Sequence, residues 1–372
     1  MVPSNLPADN LPRTTVNLKQ VAALAGVSPS TVSRAIAKPQ SLHPDTLRRV
    51  QVAIDSLDYV PFAPARVLRS GLTRTIGILA PTILNELYAL AVDTLVNEFD
   101  QLGYTVLLTC HRGNQEAKMR SMRALIERGI DGLAIIGPNH HHDLFALLRR
   151  QKVPYILMWA TDRERAHPTV GYDQKRAMMK ITDHLAGLGH EWFAILPGPL
   201  GDHKLSEERL AGAREGLSNF GLTLTPRQIV ATPYEPDAIR RAARELLGRG
   251  VGLTALICGN DMIAASAIAE CRSIAVDVPG QVSVTGFGDW EVSRLISPTL
   301  TTIHSDAVRI GRLTAQALLA RIAADREQPV GQIEYEPELI IRESTSTPNR
   351  TQAYFNTLAS VNGAQSAEAI WA

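Results

Sequence analysis

The sequence predicts an α/β protein in which a small three-helix N-terminal head precedes a core of two lobes, each a parallel sheet flanked by helices. Two observations lead to this prediction. Residues 17–57 show helical periodicity with helix caps, whereas short β-rich runs alternate with amphipathic helices from residue 75 onward. Such alternation is typical of parallel sheets covered by helices on both faces. The predicted strands include 132–136, 155–158 and 229–232, and their number divides more readily into two sheets than one.

The first two helices are predicted within NLKQVAALAGVSPSTVSRAIA, residues 17–37. Asn17 and Gln20 have the spacing of a reciprocal capping box. Gly26 lies where the chain must reverse, because glycine enters left-handed backbone geometry without penalty. Ser28 then caps the second helix and Pro29 begins it, at a position where a missing N–H costs nothing. A third helix over 44–57 completes the head.

The outer face of the second helix carries small hydroxyls and one arginine. Val32 and Ile36 lie on the inner face at i,i+4 spacing. The residues left on the opposite face are Pro29, Ser30, Ser33 and Arg34. Hydroxyls can hold phosphates, and arginine can bind a guanine edge with two hydrogen bonds. The pattern therefore indicates a DNA-binding helix-turn-helix, with a generic helical hairpin as the alternative.

A short junction, DYVPFAPARVLRSGLTRT over 58–75, connects the head to the core. Its helix-forming part spans about two turns and cannot hold helical structure alone in water. Leu68 stands between Arg66 and Arg69, and an apolar side chain flanked by cations is suited to prying open base steps from the minor groove. A basic flexible linker is the alternative interpretation.

The distribution of charge and the use of cysteine favour an intracellular protein whose N-terminal part binds nucleic acid. The net charge is +1, yet residues 1–74 hold nine Lys/Arg against four Asp/Glu. Cys110, Cys258 and Cys271 are odd in number and form no C-x-x-C pair, so we expect buried thiols rather than disulfides or a zinc site. The polar residues 1–15 are expected to be a disordered leader without a signal core. No run is long enough to cross a membrane, so a cytoplasmic location without a membrane partner is expected.

The remaining sequence motifs give little support for metal binding or catalysis. The run His140-His141-His142-Asp143 lacks the i,i+3 or i,i+4 spacing of helical metal ligands, so helix capping and a solvated loop are predicted there. No G-x-S-x-G, Walker loop or pair of catalytic carboxylates is present. We therefore predict no catalytic residue, no metal and no cofactor, and do not expect an enzyme.

One aromatic residue and one group of arginines are best explained by structural roles. Trp159 ends a predicted strand and either stacks on a ligand or, as is commoner, is a buried aromatic. A solvated helix face is predicted for Arg240, Arg241 and Arg244.

The order of motifs resembles the lactose-repressor (LacI/GalR) family of bacterial transcription regulators over residues 16–345. The motifs that carry the resemblance are VAALAGVSPSTVSRAI, the DYVPFAPARVLRSGLTRTIGIL junction, VDTLVNEFDQLGYTVLL, IDGLAII, LAGLGHEWFAILPGP, ERLAGAREGL, ICGNDMIAASAI, VPGQVSVTGFGD and SPTLTTIH. The resemblance implies a helix-turn-helix head over 16–60, a hinge helix over 61–73 and a periplasmic-binding-protein-like core over 74–345. The chain would cross between the core lobes near 172, 303 and 335, and 346–372 would form a tail.

The resemblance also implies a homodimer, with a tetramer as the alternative, that reads a near-palindromic double-stranded DNA operator. It assigns base reading to Pro29, Ser30 and Arg34, and Pro29 offers no side-chain hydrogen bond, so readout shifts to the other two. Phosphate-facing hydroxyls fall on Thr31 and Ser33, and Leu68 is the minor-groove wedge. The full set of predicted DNA-binding residues is Asn17, Ser28, Pro29, Ser30, Thr31, Ser33, Arg34, Ala65, Leu68 and Arg69.

The effector contacts that the resemblance implies are Tyr88, Asp173, Arg209, Asn260, Asp261 and Asp289. Each lies where a predicted strand ends or a helix begins, which is where such folds bind ligands. The family frequently has aspartate as the third residue of G-F/Y-D-D, whereas this chain has Gly288 there. Removing a carboxylate from a cleft that keeps Arg209 favours a sugar acid as effector, and a neutral sugar is the alternative.

The function predicted from these features is an effector-controlled transcriptional regulator, in the main interpretation a repressor. Closure of the lobes would change the spacing of the hinge segments, so effector and operator would alter each other's affinity by the same factor. A solute-binding protein of a transport system and a sugar-modifying enzyme are the alternatives, and the basic head argues against the first.

Overall fold

The computed structural model describes residues 16–60, 71–111, 114–138, 140–249, 252–324 and 331–349. The predicted leader, most of the hinge with Ala65, Leu68 and Arg69, and most of the tail lie outside these residues. The chain divides into two units, residues 1–73 and 74–372, and each is described by itself.

The head consists of three helices around a small apolar core. Helix α1 spans Leu18–Ala25, α2 spans Pro29–Ala37 and α3 spans Pro44–Ser56, with a 3₁₀ turn at Pro39–Ser41. The predicted capping box is confirmed, because Asn17 Oδ1 accepts the Gln20 N–H at 3.1 Å and Gln20 Oε1 accepts the Asn17 N–H at 2.8 Å. Gly26 is left-handed with φ 64°, as the predicted chain reversal requires. The core includes Val21, Ala22, Val32, Val50 and Ala53.

The first lobe of the core is built on a six-stranded parallel sheet. Its elements in chain order are β1 Thr75–Ala80, α4 Glu86–Asp100, β2 Thr105–Cys110, α5 Gln115–Glu127, β3 Gly132–Ile136, α6 His142–Gln151, β4 Tyr155–Met158 and β5 Thr169–Gly171. Strand β10, Gln332–Glu334, joins β5 at one edge, and the strand order is β10-β5-β4-β3-β1-β2. Strands β1 and β3 are almost wholly buried because helices cover both faces.

The second lobe contains a three-stranded parallel sheet in the order β6-β7-β8. Its elements are α7 Gln174–Gly187, β6 Phe193–Leu196, α8 Lys204–Ser218, a 3₁₀ turn at Pro226–Gln228, α9 Pro236–Gly248, β7 Ala255–Cys258, α10 Asp261–Ser273, β8 Ser283–Thr285 and α11 Val292–Leu295. The antiparallel pair β9, Thr302–His304, and β11, Glu338–Ile340, completes it. Helix α12, Ala307–Ala323, packs back onto α4 and the first sheet.

Three stretches of chain connect the lobes. They follow β5 into α7, β9 into α12, and β10 into β11. The carboxyl ends of the parallel strands in both lobes therefore border a shared cleft, the place where ligands bind in open α/β folds. The predicted fold class is confirmed.

Two local predictions are wrong, and a third is incomplete. Residues 229–232 form no strand, and a single bridge joins Ile229 to Ile195. Cys110 is exposed, whereas Cys258 and Cys271 are buried as expected. The basic face of α9 is not simply solvated, because Arg240 and Arg244 both bind Glu270, whose side chain is 2% exposed.

Within the described residues, no helix combines the length and the apolar character that a membrane span needs.

Candidate functional site

The predicted DNA-reading face lies on the solvent side of α2. Ser30 and Arg34 are exposed, while Val32 on the opposite side is fully buried. Ser28 caps the helix by accepting the Thr31 N–H at 3.2 Å, and its hydroxyl also lies 2.7 Å from the Ser30 hydroxyl. The structure thus gathers hydroxyls at the start of α2 and places Arg34 one turn later. This arrangement places several hydroxyls and one cation on a single exposed surface, so the predicted contacts with phosphates and bases could be made from one face.

Arg209 contacts two of the segments that border the predicted effector cleft. It lies on α8, and its Nη1 donates to Gln174 Oε1 at 3.0 Å, at the start of α7. Its guanidinium carbon is 4.9 Å from the centre of the Phe287 ring, which fixes the plane of the group. Burial raises the pKa of Tyr88 well above its usual value, and the positive charge of Arg209 partly opposes that shift. The Tyr88 hydroxyl therefore stays protonated and uncharged near neutral pH.

Aromatic side chains line the first-lobe side of this cleft. The rings of Tyr88 and Trp159 are 5.1 Å apart. Trp159 is 2% exposed and donates its indole N–H to Ser305 Oγ at 3.2 Å, so the buried role is confirmed. Tyr172 donates its hydroxyl to the same Ser305 oxygen at 2.9 Å. Two of the connecting stretches are thereby joined beside the cleft.

Asp173 and Asn260 act as helix caps. The Asp173 carboxylate accepts the Arg176 N–H at 3.0 Å and pairs with Arg163 at 3.1 Å. Burial raises its pKa, but these hydrogen bonds outweigh burial, so the net pKa is lowered and the group is ionised. Asn260 Oδ1 accepts the Ile263 N–H at 2.8 Å. Both side chains hold the starts of helices that border the cleft.

Asp261 and Asp289 support the loop that follows β8. Asp261 is fully buried, and its two oxygens accept from the Thr302 hydroxyl at 2.5 Å and the Trp290 N–H at 2.6 Å. Asp289 accepts from Arg342 at 2.6 Å and from Ser293 at 2.9 Å, and lies 2.9 Å from His304 Nδ1. Both carboxylates are thus satisfied by protein groups. They position residues 286–290 in this structure, and effector contact at either remains a prediction.

Burial of Asp261 predicts a dependence of stability on pH. Burial raises the pKa of this carboxyl from 3.8 to about 7. Between these values the folded state holds a proton that the unfolded chain has released, so the free energy of unfolding decreases as pH rises, by on the order of 2–4 kcal/mol. In Asp261→Asn this contribution is absent. We expect the fall in melting temperature from pH 5 to pH 8 to be smaller in the variant, and an equal fall in both proteins would contradict the assignment.

Residues that sequence reasoning did not select also border the cleft. Among buried side chains of the described ranges, Gln174 Nε2, Arg209 Nε and Trp290 Nε1 are donors without a hydrogen-bond partner. Gln174 directly follows the predicted contact Asp173, and Trp290 lies two residues after Gly288. Gln174 lies at a strand–helix junction and Trp290 lies in the loop after β8. These positions could have identified both residues from the sequence.

A second unpredicted cluster lies beyond strands β2 and β3. His111 follows β2, His140 follows β3, and Lys118 on α5 is 5% exposed. Burial, together with the nearby Lys118 charge, lowers the pKa of His111 to about 4 and of His140 to about 3. Asp202, in the loop after β6 of the other lobe, opposes the lowering of the Lys118 pKa by burial. The position directly after a strand was the signal that could have revealed His111, whereas in the sequence His140 stands out only as part of the histidine run.

His141 and His142 at the start of α6 are exposed, whereas His140 before them is half-buried. His141 Nδ1 accepts the Asp143 N–H at 3.4 Å, so the predicted capping role is confirmed. His141, His142 and Asp143 place one ligand atom each within 4.8 Å of the others.

Comparison with known proteins identifies the family. Residues 17–61 match the model "Bacterial regulatory proteins, lacI family", and residues 182–345 match "Periplasmic binding protein-like domain". The HTH-type transcriptional repressor PurR of Aliivibrio fischeri is 32% identical over 333 residues, covering 88% of this chain and 98% of that repressor. The chain belongs to the LacI family. The resemblance found in the sequence is confirmed.

Solved LacI-family structures are similar over most of the chain. The lac repressor dimer bound to operator and the anti-inducer ONPF is 26% identical with a TM-score of 0.80, covering 89% of this chain and 99% of that one. The complex of the transcriptional regulator CelR with cellobiose is also 26% identical, with a TM-score of 0.66 and coverage of 88% and 99%. These matches include the head, so transcriptional regulation is favoured over solute transport. Members of this family are transcriptional regulators rather than enzymes.

Proposed function

We propose that this LacI-family chain is a cytoplasmic, homodimeric repressor whose hold on a near-palindromic operator is controlled by a negatively charged sugar acid in the core cleft. The repressor role follows the PurR relatives, and operator binding as a dimer follows the lac repressor complex. Base reading is assigned to Ser30 and Arg34, with minor-groove contact at Ala65, Leu68 and Arg69. The observation that carries the effector charge is Arg209 itself, a cation with an unpaired buried Nε, since Asp261 and Asp289 are bonded to other protein donors.

The charge argument rests on which groups remain unsatisfied. Gln174 is 2% exposed and its oxygen accepts from Arg209. Its amide nitrogen has no hydrogen bond of normal geometry, although it lies close enough to the Tyr172 hydroxyl to oppose in part the rise that burial causes in the pKa of that group. Arg209 likewise has a buried Nε without a partner. An unpaired buried donor costs about 1–3 kcal/mol, so a ligand that accepts at these positions recovers that energy. The nearby carboxylates of Asp261 and Asp289 are bonded to protein donors and so offer little to a hydroxyl.

Calorimetric titration of matched pairs tests the effector class. We expect D-gluconate to bind more tightly than D-glucose, and D-galacturonate more tightly than D-galactose, because only the acids place a carboxylate against Arg209. Each titration is followed by binding to an operator selected by the protein from random DNA. Tighter binding of both neutral sugars would contradict the acid, whereas unchanged operator affinity with a bound acid would contradict the control mechanism.

Loss of the Arg34 side chain is expected to weaken and relax DNA recognition. Arg34→Ala should cost about 1–3 kcal/mol in operator binding and reduce preference at one base pair per half-site. Arg48→Ala is a matched control, because Arg48 carries the same charge on α3 and its side chain is 79% exposed. Measured binding to single-base operator variants separates the two. If both substitutions weakened all operator variants uniformly, Arg34 would be a phosphate contact and not a base reader.

A further inference from the structure

In the loop after β8, the indole ring of Trp290 lies where a side chain at position 288 would otherwise be. Gly288 has φ 133°, and a Cβ built there would lie 2.4 Å from Trp290 Nε1 and 3.4 Å from Leu87 Cδ1. The Trp290 ring therefore fills the space beside residue 288. Leu87 lies in the first turn of α4, so this space borders the first lobe.

Trp290 is held firmly in this place. Its main-chain N–H donates to Asp261 Oδ2 at 2.6 Å, and the preceding Asp289 is fixed by Arg342 and Ser293. The next residue, Glu291, donates its N–H to Glu86 Oε1 across the lobes at 2.7 Å. The loop is thus supported on both sides, and Trp290 lies where the two lobes meet.

The indole N–H is the one polar atom of this side chain, and it is unsatisfied. Trp290 is 7% exposed, and its Nε1 has no hydrogen-bond partner among the described residues. Buried tryptophan normally directs its N–H to an acceptor. Tyr88 directly follows Leu87, and Phe287, which stacks on Arg209, directly precedes Gly288. An acceptor that a cleft ligand supplies would satisfy this donor.

We propose that Trp290 is a specificity-determining residue that donates its indole N–H to an oxygen of the bound effector, from the space that a side chain at 288 would occupy. The inference rests on the proposed effector cleft but not on the charge of the effector, because a carboxylate, carbonyl or hydroxyl oxygen can accept. With this indole N–H, the part of the cleft beside Gly288 offers a hydrogen-bond donor. Ligand oxygens that only accept are therefore favoured there over groups that must donate.

Indole resonances of the full ¹⁵N-labelled chain test the contact directly. The Trp290 signal is assigned by its disappearance in Trp290→Phe, and D-gluconate, D-galacturonate, D-glucose and D-galactose are added in turn. We expect the tightest binder to move the Trp290 signal downfield while Trp192, which is 50% exposed, stays in place. If none of the four compounds moves the Trp290 signal, the proposal is wrong.

Calorimetry on variants supplies the second measurement. Trp290→Phe should weaken the tightest binder at least about tenfold, since a site built to hydrogen-bond discriminates strongly when the bond is lost. Gly288→Ala should act similarly because its Cβ displaces the indole, and Trp192→Phe should bind as the wild type does. Acid binding that is unaffected by Trp290→Phe overturns this proposal and leaves the proposed function intact. A neutral sugar that binds best and moves the Trp290 signal supports this proposal and overturns the acidic effector.

Discussion

Arg209→Ala is expected to lower affinity for the acidic effector about 100-fold, because a charge-assisted pair of hydrogen bonds contributes about 1.5–3 kcal/mol in a desolvated site. The substitution also leaves the Gln174 oxygen without its donor and removes the cation from the Phe287 ring. Operator affinity without effector should change little, since Arg209 lies in the core. Calorimetry with D-gluconate and D-galacturonate, followed by operator binding with and without each acid, measures both quantities.

Arg214→Ala is the matched control for this experiment. Arg214 lies on the same helix α8 and carries the same charge, but it is exposed. Arg209→Lys adds a graded test, because lysine keeps the charge and loses the planar fork that bonds Gln174 and a carboxylate together. We expect the wild type and Arg214→Ala to bind the acid equally tightly. Arg209→Lys should bind it more weakly, and Arg209→Ala most weakly. Equal losses at 209 and 214 would show a long-range charge effect and contradict direct contact.

The elements that sequence reasoning predicted well are those with local causes. The start of α2 follows from Ser28 and Pro29, and the strand Gly132–Ile136 has its predicted bounds. Caps, turns and hydrophobic periodicity act over a few residues, so they can be read directly from the chain. The alternation of such elements then limits the possible sheet topologies.

Features that depend on contacts distant in sequence could not be predicted this way. Burial of Cys110 was expected because the three cysteines form no recognisable pair, yet β2 is the edge strand of its sheet and leaves Cys110 exposed. The Arg240 and Arg244 side chains look solvated on a helical wheel, but Glu270 lies on the neighbouring α10. Strand order and helix neighbours decide both cases. Neither is encoded by local spacing.

In the candidate site, too, features with local causes could be predicted, whereas features that depend on distant contacts could not. Motif positions identified Arg209 and the loop around Gly288, because the ends of strands are recognisable in sequence. They did not reveal that Asp261 is fully buried and holds the Trp290 main chain. A carboxylate at the start of a helix can face a ligand or support the next loop, and only packing distinguishes these roles.

Gly212→Ala is expected to destabilise the second lobe by about 2 kcal/mol, because the upper end of the usual cost of overpacking, about 3 kcal/mol, is reduced by the roughly 1 kcal/mol of helix propensity that alanine gains. A Cβ at Gly212 on α8 would lie 2.3 Å from the Lys175 carbonyl oxygen on α7. One helical turn later, a Cβ at Gly216 would lie 1.9 Å from Thr182 Oγ1. Glycines four residues apart therefore allow these helices to touch along their main chains. Urea unfolding of both proteins measures the difference.

Gly187→Ala distinguishes packing from loss of glycine as such, because Gly187 ends α7 and a Cβ there meets nothing within 4 Å. We expect it to change the free energy of unfolding by less than about 1 kcal/mol. Gly212→Ala should also weaken acid binding, since Arg209 on α8 and Gln174 on α7 must keep their 3.0 Å hydrogen bond for the cleft to remain assembled. An equal small effect of both alanines would show that the two helices can separate freely, and the close contact would then not position Arg209.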